Sequence, residues 1–347
     1  MSTRPRLLVI YTGGTLGMRP SPRGYIAAAD ISELIAERMP ELRDGSWPAL
    51  EIVEYDPPLD SANLTPKHWY RLAETITERA ASVDGVIIIH GTDTLAFTAS
   101  ALSFLLIGLD KAVVVTGSQI PLAEPRNDAR GNLLAAIEVA AGGRSTEVSV
   151  CFGSRLMRGN RTTKTRAQAF DAFDSPNHPY LADIGTEILY REGLTLQRAP
   201  GTAALMRPVY AECAIAVVPA VPGLPASAVD AVAQSGARGM ILECFGMGTA
   251  PTDDAELLEA IGRATRLGLV VVAISQCRQG HVSLATYAAG RKLLDCGVVS
   301  GFDMTREAAL TKMHTLFARG LSPMDVAARM QQDLCGEMTL ARVDDLP

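Results

Sequence analysis

No two of the six cysteines in this 347-residue chain stand close enough to form a C-x-x-C pair. Their scatter argues against a zinc site and against a disulfide framework, so free thiols in a reducing compartment are expected. Long apolar runs are missing too. Only five apolar residues, 7–11, precede Thr12, fewer than the roughly 7–15 of a secretory h-region. The longest membrane candidate, 99–109, carries Ser100 and Ser103 and falls well short of the ~20 residues of a span. No leader or membrane anchor is expected, and the cytoplasm is the expected location. Excess positive charge is also absent: 32 Lys and Arg against 38 Asp and Glu leave a net charge of −6. With no basic stripe there is no electrostatic case for a nucleic-acid partner.

What is present is apolar mass, 48% of the residues, enough for two sizeable cores. The length suggests two domains of roughly 100–200 residues each. Short apolar runs at 7–11, 50–55, 86–89, 112–116 and 147–152 read as strands. Between them, 30–39, 66–81, 93–106 and 128–141 read as helices. Such alternation predicts an α/β fold with a mainly parallel sheet flanked by helices. Asp30 with Glu33 makes a capping box, and Thr65 stands before Pro66 at a first-turn position. Residues 153–211 lose the periodicity and read as a functional loop region that ends in a connection. Alternation resumes at 213–219, 226–235, 239–244, 253–267 and 269–275, and 286–333 reads as mostly helical. The expected division is a catalytic domain at 1–190, a linker at 191–211 and a smaller α/β domain at 212–347.

Two strand ends carry hydroxyls beside glycine: Thr12-Gly-Gly-Thr15 after the first strand and His90-Gly-Thr-Asp-Thr94 after the third. Ligands of parallel sheets sit at the carboxyl ends of strands, and glycine lets the backbone approach them closely. A threonine nucleophile needs a base. Histidine offers none here: His68, His178, His281 and His314 lie outside both turns, and His90 ends a buried strand. No G-x-S-x-G elbow occurs. A lysine can serve instead if burial or neighbouring cations destabilise its ammonium. Lys164, in Arg158-Gly-Asn-Arg-Thr-Thr-Lys164 among other cations, is that candidate; its ordinary alternative, shared by Arg158, Arg161 and Arg166, is a solvated surface charge.

Thr92 and Asp93 read equally as caps of the following helix and as ligands of a small substrate carrying both charges. Thr12-Gly-Gly-Thr15 could alternatively cradle a phosphate, but two prolines after Gly17 deny the helix that a dinucleotide fingerprint requires. The Gly17–Gly24 segment reads as a mobile lid that brings Tyr25 over a ligand, with simple packing as the alternative. Asp60-Ser61 would reach the same sheet edge and bind a carboxylate or an ammonium.

Long motifs in this order resemble the bacterial-type L-asparaginases, most closely the type I cytoplasmic branch, over nearly the whole chain. They are Tyr11-Thr-Gly-Gly-Thr-Leu-Gly-Met18, the run from His90 to Phe104, Val115-Thr-Gly-Ser-Gln-Ile-Pro-Leu-Ala-Glu124, Arg158 to Lys164, and Phe170-Asp-Ala-Phe173. The resemblance implies a two-domain asparaginase fold and hydrolysis of L-asparagine through a threonine acyl-enzyme. It implies Thr15 as nucleophile with Tyr25 nearby, and Thr92, Asp93 and Lys164 as a second constellation that readies water. Substrate binding falls to Ser61, Asp60, Thr92 and Asp93. No metal or other cofactor is implied, and the assembly implied is a homodimer or homotetramer. Two departures stand out. Glu243 replaces an arginine near the subunit interface, where some type I members bind an effector asparagine, and Thr249 replaces an asparagine that reaches a neighbouring site. The rival readings are an asparaginase-like amidotransferase subunit, whose additional N-terminal domain is not expected here, and a non-catalytic amino-acid sensor.

Overall fold

The computed structural model describes residues 4–340 except 23, 28–29, 197–204 and 206. The chain divides into two units, Met1–Pro208 and Val209–Pro347. Residues 197–204 and 206 of the expected connection at 191–211 lie outside the described residues.

In the first unit the central strands of the sheet are apolar runs with little alternation. Strand β1 is Arg6–Tyr11. It is followed by a hairpin of β2, Met18–Ser21, and β3, Gly24–Ala27, and then by helix α1, Ile31–Arg38. Strand β4, Ala49–Glu54, leads through α2, Pro66–Arg79, to β5, Gly85–Ile89; α3, Leu95–Leu105, leads to β6, Ala112–Thr116; α4, Ala129–Gly142, leads to β7, Val148–Phe152. Strands β5, β6 and β7 are buried at every position, as strands covered on both faces by helices must be. Leu34 and Ile35 of α1 and Leu133 and Ile137 of α4 share one core with Leu7, Val9 and Ile87.

Among the described residues the sheet has eight strands in the order β12-β11-β8-β7-β6-β5-β1-β4. The β4-β1-β5-β6-β7 portion is parallel. The rest is antiparallel, built from β8, Arg155–Arg158, β11, Ala182–Ile184, and β12, Ile188–Tyr190; a separate ribbon pairs β9, Thr163–Lys164, with β10, Phe173–Asp174. The sheet is therefore mixed. Part of the region read from the sequence as a loop is ordered strand, in pieces of two to four residues, too short for periodicity to reveal.

The chain passes from β1 outward to β4 and returns across β1 to β5. This reversal leaves a crevice at the carboxyl ends of β4, β1 and β5, the place where open α/β sheets bind ligands.

The second unit is a parallel sheet in the order β13, Ile215–Pro219, β14, Gly239–Cys244, β15, Val270–Ser275, and β16, Val299–Ser300. Helices α5, Ala226–Gln234, α6, Ala255–Arg266, and α7, Ala288–Asp295, cover one face around Val229, Leu257 and Leu293. Helices α8, Arg306–Ala318, and α9, Pro323–Met330, cover the other around Met313 and Val326. No described helix is long and apolar enough to cross a membrane.

Lys312 of α8 is wholly buried beside Glu337, also wholly buried, with Nζ and Oε1 2.6 Å apart. Glu337 further accepts from the Leu334 and Cys335 N–H groups at 2.8–3.0 Å, which pins the segment after α9 to α8. Removing one partner of such a pair strands the other charge in the core. Glu337→Ala should lower unfolding stability by about 3–5 kcal/mol in a urea titration, whereas a change below about 1 kcal/mol would show that the ammonium finds another partner.

Candidate active site

The loops after β1, β4 and β5 meet through glycines. Gly14, at φ 95°, lies on Gly91 so closely that a methyl group on Gly14 would stand 2.5 Å from the Gly91 Cα. A methyl on Gly91 would in turn stand 2.5 Å from the Ser61 Oγ, and one on Gly13 only 2.7 Å from the Leu59 nitrogen. No side chain fits at these positions. The packing sets the half-buried Thr15, first residue of a 3₁₀ turn at Thr15–Gly17, next to the turn that bears Thr92. Leu59 N–H donates to Thr12 O at 2.7 Å and Thr12 N–H to Ile89 O at 3.0 Å, so backbone bonds tie the three loops together.

Helix α3 begins at Leu95 with Thr94 as its N-cap residue. Neither Thr92 nor Asp93 caps it, which corrects that alternative and frees both side chains. Thr94 Oγ1 instead donates to Ser61 O at 2.8 Å, fixing the β4 loop against the helix start.

Lys164 arrives on the separate β9–β10 ribbon that follows β8. The Gly159–Arg161 turn packs on α3, where Ser100 Oγ donates to Gly159 O at 3.4 Å. Lys164 then pairs with Phe173, whose ring meets Phe152 edge-on at 4.9 Å. From this anchorage Nζ donates to Thr92 Oγ1 at 2.9 Å and to Asp93 Oδ1 at 2.8 Å. The lysine side chain is 22% exposed and that of Asp93 63%. Two of the cations expected around it are engaged with acids, Arg158 with buried Glu147 at 2.6 Å and Arg166 with Asp171 at 2.9 Å, while Arg161 is buried and not a solvated surface charge. The charged partner bonded to the amine is the Asp93 carboxylate, where neighbouring cations were expected from the sequence.

Ser61 is buried. Asp60 is exposed, and its carboxylate accepts from Ala62 N–H at 3.0 Å, capping the Ser61–Asn63 turn. Tyr25 stands apart from these groups. The segment read as a lid is the β2–β3 hairpin; Tyr25 on it is 52% exposed and donates to Glu124 Oε1 at 3.0 Å, not to any other residue singled out from the sequence.

Two neighbours went unassigned in the sequence. Gln119, past the end of β6, donates from Nε2 to Ala167 O and Ala169 O at 3.0 and 3.1 Å. That turns its Oε1 toward Thr92, whose hydroxyl donates to it across a long 3.5 Å. Glu124 is the other. The signal for both was their place in the motif that closes the next strand of the sheet.

In the second unit Glu243 is buried and forms an ion pair with Arg306, at 2.5 and 2.9 Å. Thr249 closes a turn on Phe245, its N–H donating to Phe245 O at 3.0 Å.

Residues 6–195 match the family described as Asparaginase, N-terminal, and residues 214–330 the Glutaminase/Asparaginase C-terminal domain. The chain belongs to the asparaginase family. L-asparaginase 1 of Escherichia coli strain K12 is 43% identical over 334 residues, covering 96% of this chain and 98% of that protein. The crystal structure of L-asparaginase I from Vibrio cholerae superposes with a TM-score of 0.89 at 42% identity, over 97% of this chain and all of that one. The 60 kDa lysophospholipase of Mus musculus is 39% identical and spans all of this chain, which matches 64% of that protein. The two units are thus those of the two-domain asparaginase fold, and the crevice of the first lies within the family's N-terminal domain.

The wall of this asparaginase crevice includes a titratable group that no ligand needs to touch. His90 is buried at the end of β5; its Nδ1 donates to Gly91 O at 2.7 Å and its Nε2 accepts from Thr98 Oγ1 at 2.9 Å. Burial pushes its pKa down to about 4, against the opposing pull of the Gly91 carbonyl. An unfolded histidine protonates near 6.5. The stabilisation is therefore complete above about pH 6.5 and drains away as pH falls to about 4, by about 3 kcal/mol for this group. Equilibrium unfolding should show that acid limb, and His90→Asn should flatten it; an unchanged limb would assign the titration elsewhere.

Proposed function

We propose that this chain hydrolyses the side-chain amide of L-asparagine to L-aspartate and ammonia through an ester on Thr15. The observation that carries the reading is the Lys164–Thr92–Asp93 contact set beside the Thr15 turn by the Gly14–Gly91 approach. Thr15 Oγ attacks the amide carbon, giving up its proton, and the C–N bond breaks. Nitrogen leaves as ammonia after taking up a proton, and the acyl group stays on Thr15. Water then attacks the ester, the C–O bond breaks, and Thr15 recovers its proton. Lys164, donating to the Thr92 hydroxyl, tunes that group, and Thr92 positions the attacking water. Asp93, with Asp60 at the rim, attracts the substrate's α-ammonium; Ser61 receives its α-carboxylate. An amino acid carries both charges, and the crevice offers partners for both.

This reading requires no metal or organic cofactor. It also includes a homodimer or homotetramer in the cytoplasm, in keeping with free cysteines whose most buried members, Cys151 and Cys244, have thiols pushed up to about 12 by burial. Kinship with L-asparaginase 1 of Escherichia coli supports the substrate.

Ammonia release from L-asparagine tests the reading. The native chain should turn over, and Thr15→Ala should lose about a thousandfold or more in kcat with its fold intact by circular dichroism. Undiminished turnover in Thr15→Ala would overturn the nucleophile; no turnover in the native chain would favour a binding protein.

Rate against asparagine concentration is a separate test. Glu243 puts a carboxylate, already bonded to Arg306, where an arginine is common in the type I branch. Initial rates should follow a hyperbola, and a sigmoid would count against loss of an effector site.

A further inference from the structure

The loop between β6 and α4 touches more of the crevice than any motif in the sequence suggested. Gln119 at its start meets Thr92. In its middle, Leu122 N–H donates to Leu16 O at 3.0 Å, bonding the loop to the Thr15–Gly17 turn. Two residues on, the Glu124 carboxylate accepts from the Tyr25 hydroxyl at 3.0 Å.

The two ends of this last bond are held unequally. Glu124 N–H donates to Pro121 O at 3.0 Å, closing a turn. Asn127 Nδ2 donates to Glu124 O at 2.6 Å, and Asn127 Oδ1 accepts from Arg130 N–H of α4 at 3.0 Å. The Asp128 carboxylate accepts from the Gln119 and Ile120 N–H groups at 3.0–3.1 Å. Glu124 is therefore fixed on a braced loop. Tyr25 lies on a two-stranded ribbon, an element of marginal stability alone, which a salt bridge of Arg19 with Glu37 joins to α1 at 2.9 Å. That bridge restrains the ribbon on the strand opposite Tyr25.

We propose that Glu124 is a positioning residue for Tyr25: it holds the phenol, and the Leu122–Leu16 bond keeps that phenol in register with the Thr15 turn. The inference rests on the reading of Thr15 as nucleophile with Tyr25 beside it. Glu124 itself touches no substrate. Its contribution is to reduce the number of arrangements the hairpin samples before reaction, a gain that appears in kcat when a group has to be in place for the chemical step.

A double-mutant cycle on L-asparagine hydrolysis tests this, with thermal unfolding measured for each variant. Tyr25→Phe and Glu124→Ala should each lower kcat by about ten- to a hundredfold, with KM changed less than about threefold and Tm nearly unmoved. The double variant should be no slower than the slower single variant, because the second substitution removes nothing that still acts. Glu124→Gln, which keeps an acceptor oxygen, should recover most of the rate. Multiplying losses in the double variant, or full activity in Glu124→Ala while Tyr25→Phe is slow, would overturn the positioning role and leave the nucleophile reading untouched. Full activity in Tyr25→Phe alongside a dead Thr15→Ala would remove Tyr25 from the reaction and the inference with it. Should Glu124→Ala unfold, Glu124→Gln in the Tyr25→Phe background decides the same question, since an effect there would again overturn the role.

Discussion

Everything around the crevice depends on two backbones touching where no side chain intervenes. Gly14 lies on Gly91, and Gly91 lies on Ser61. Because each glycine lacks a Cβ, three loops from three strands stack at van der Waals distance instead of standing a side chain apart. The consequence is positional. Thr15 and Thr92 inherit their proximity from residues adjacent to them in the chain, and sheet register transmits that placement without relying on long side chains. The ordering of β4, β1 and β5 around one reversal supplies the place, and the glycines supply the closeness.

Lys164 reaches the same point by a different kind of support. It is 72 positions from Thr92 and comes from the separate β9–β10 ribbon, outside the sheet. Its strand has two residues and one partner strand, so an aromatic pair, Phe152 with Phe173, does the anchoring that a longer ladder would do elsewhere. Asp93 then meets the amine with a carboxylate while Arg158 and Arg166 turn to acids of their own. The amine thus bonds to one anion and one hydroxyl, although the flanking sequence is rich in cations.

The legible parts of this chain were those with a local signature. Continuous β-branched runs such as Val-Ile-Ile-Ile before His90 announced central strands, and glycine beside threonine marked the turns where the sheet's ligand edge lies. Lys164 could not be joined to Thr92 by spacing, and only the resemblance of whole motifs connected them. The antiparallel edge escaped because strands of two to four residues carry no period to read. Asp93 looked like a helix start because Asp and Thr favour caps, and only the backbone path shows that the helix waits for Leu95. Glu243 read only as an acid in an arginine's place, and its partner Arg306, 63 positions on, had no signal in the sequence. Gln119 and Glu124 were marked only by the motif that closes β6, and their contacts arise from where the loop passes.

That two-residue delay before α3 separates two demands that often compete for the same side chains. Had Thr92 or Asp93 satisfied the first amide hydrogens of the helix, altering either would have frayed α3 along with any chemistry nearby. Thr94 stands at the N-cap with its hydroxyl on Ser61 O and no side-chain bond to the helix amides, so the start of α3 does not depend on the side chains at 92 and 93. Selection can therefore vary the polar groups at 92 and 93 while the helix beneath them keeps its own foundation.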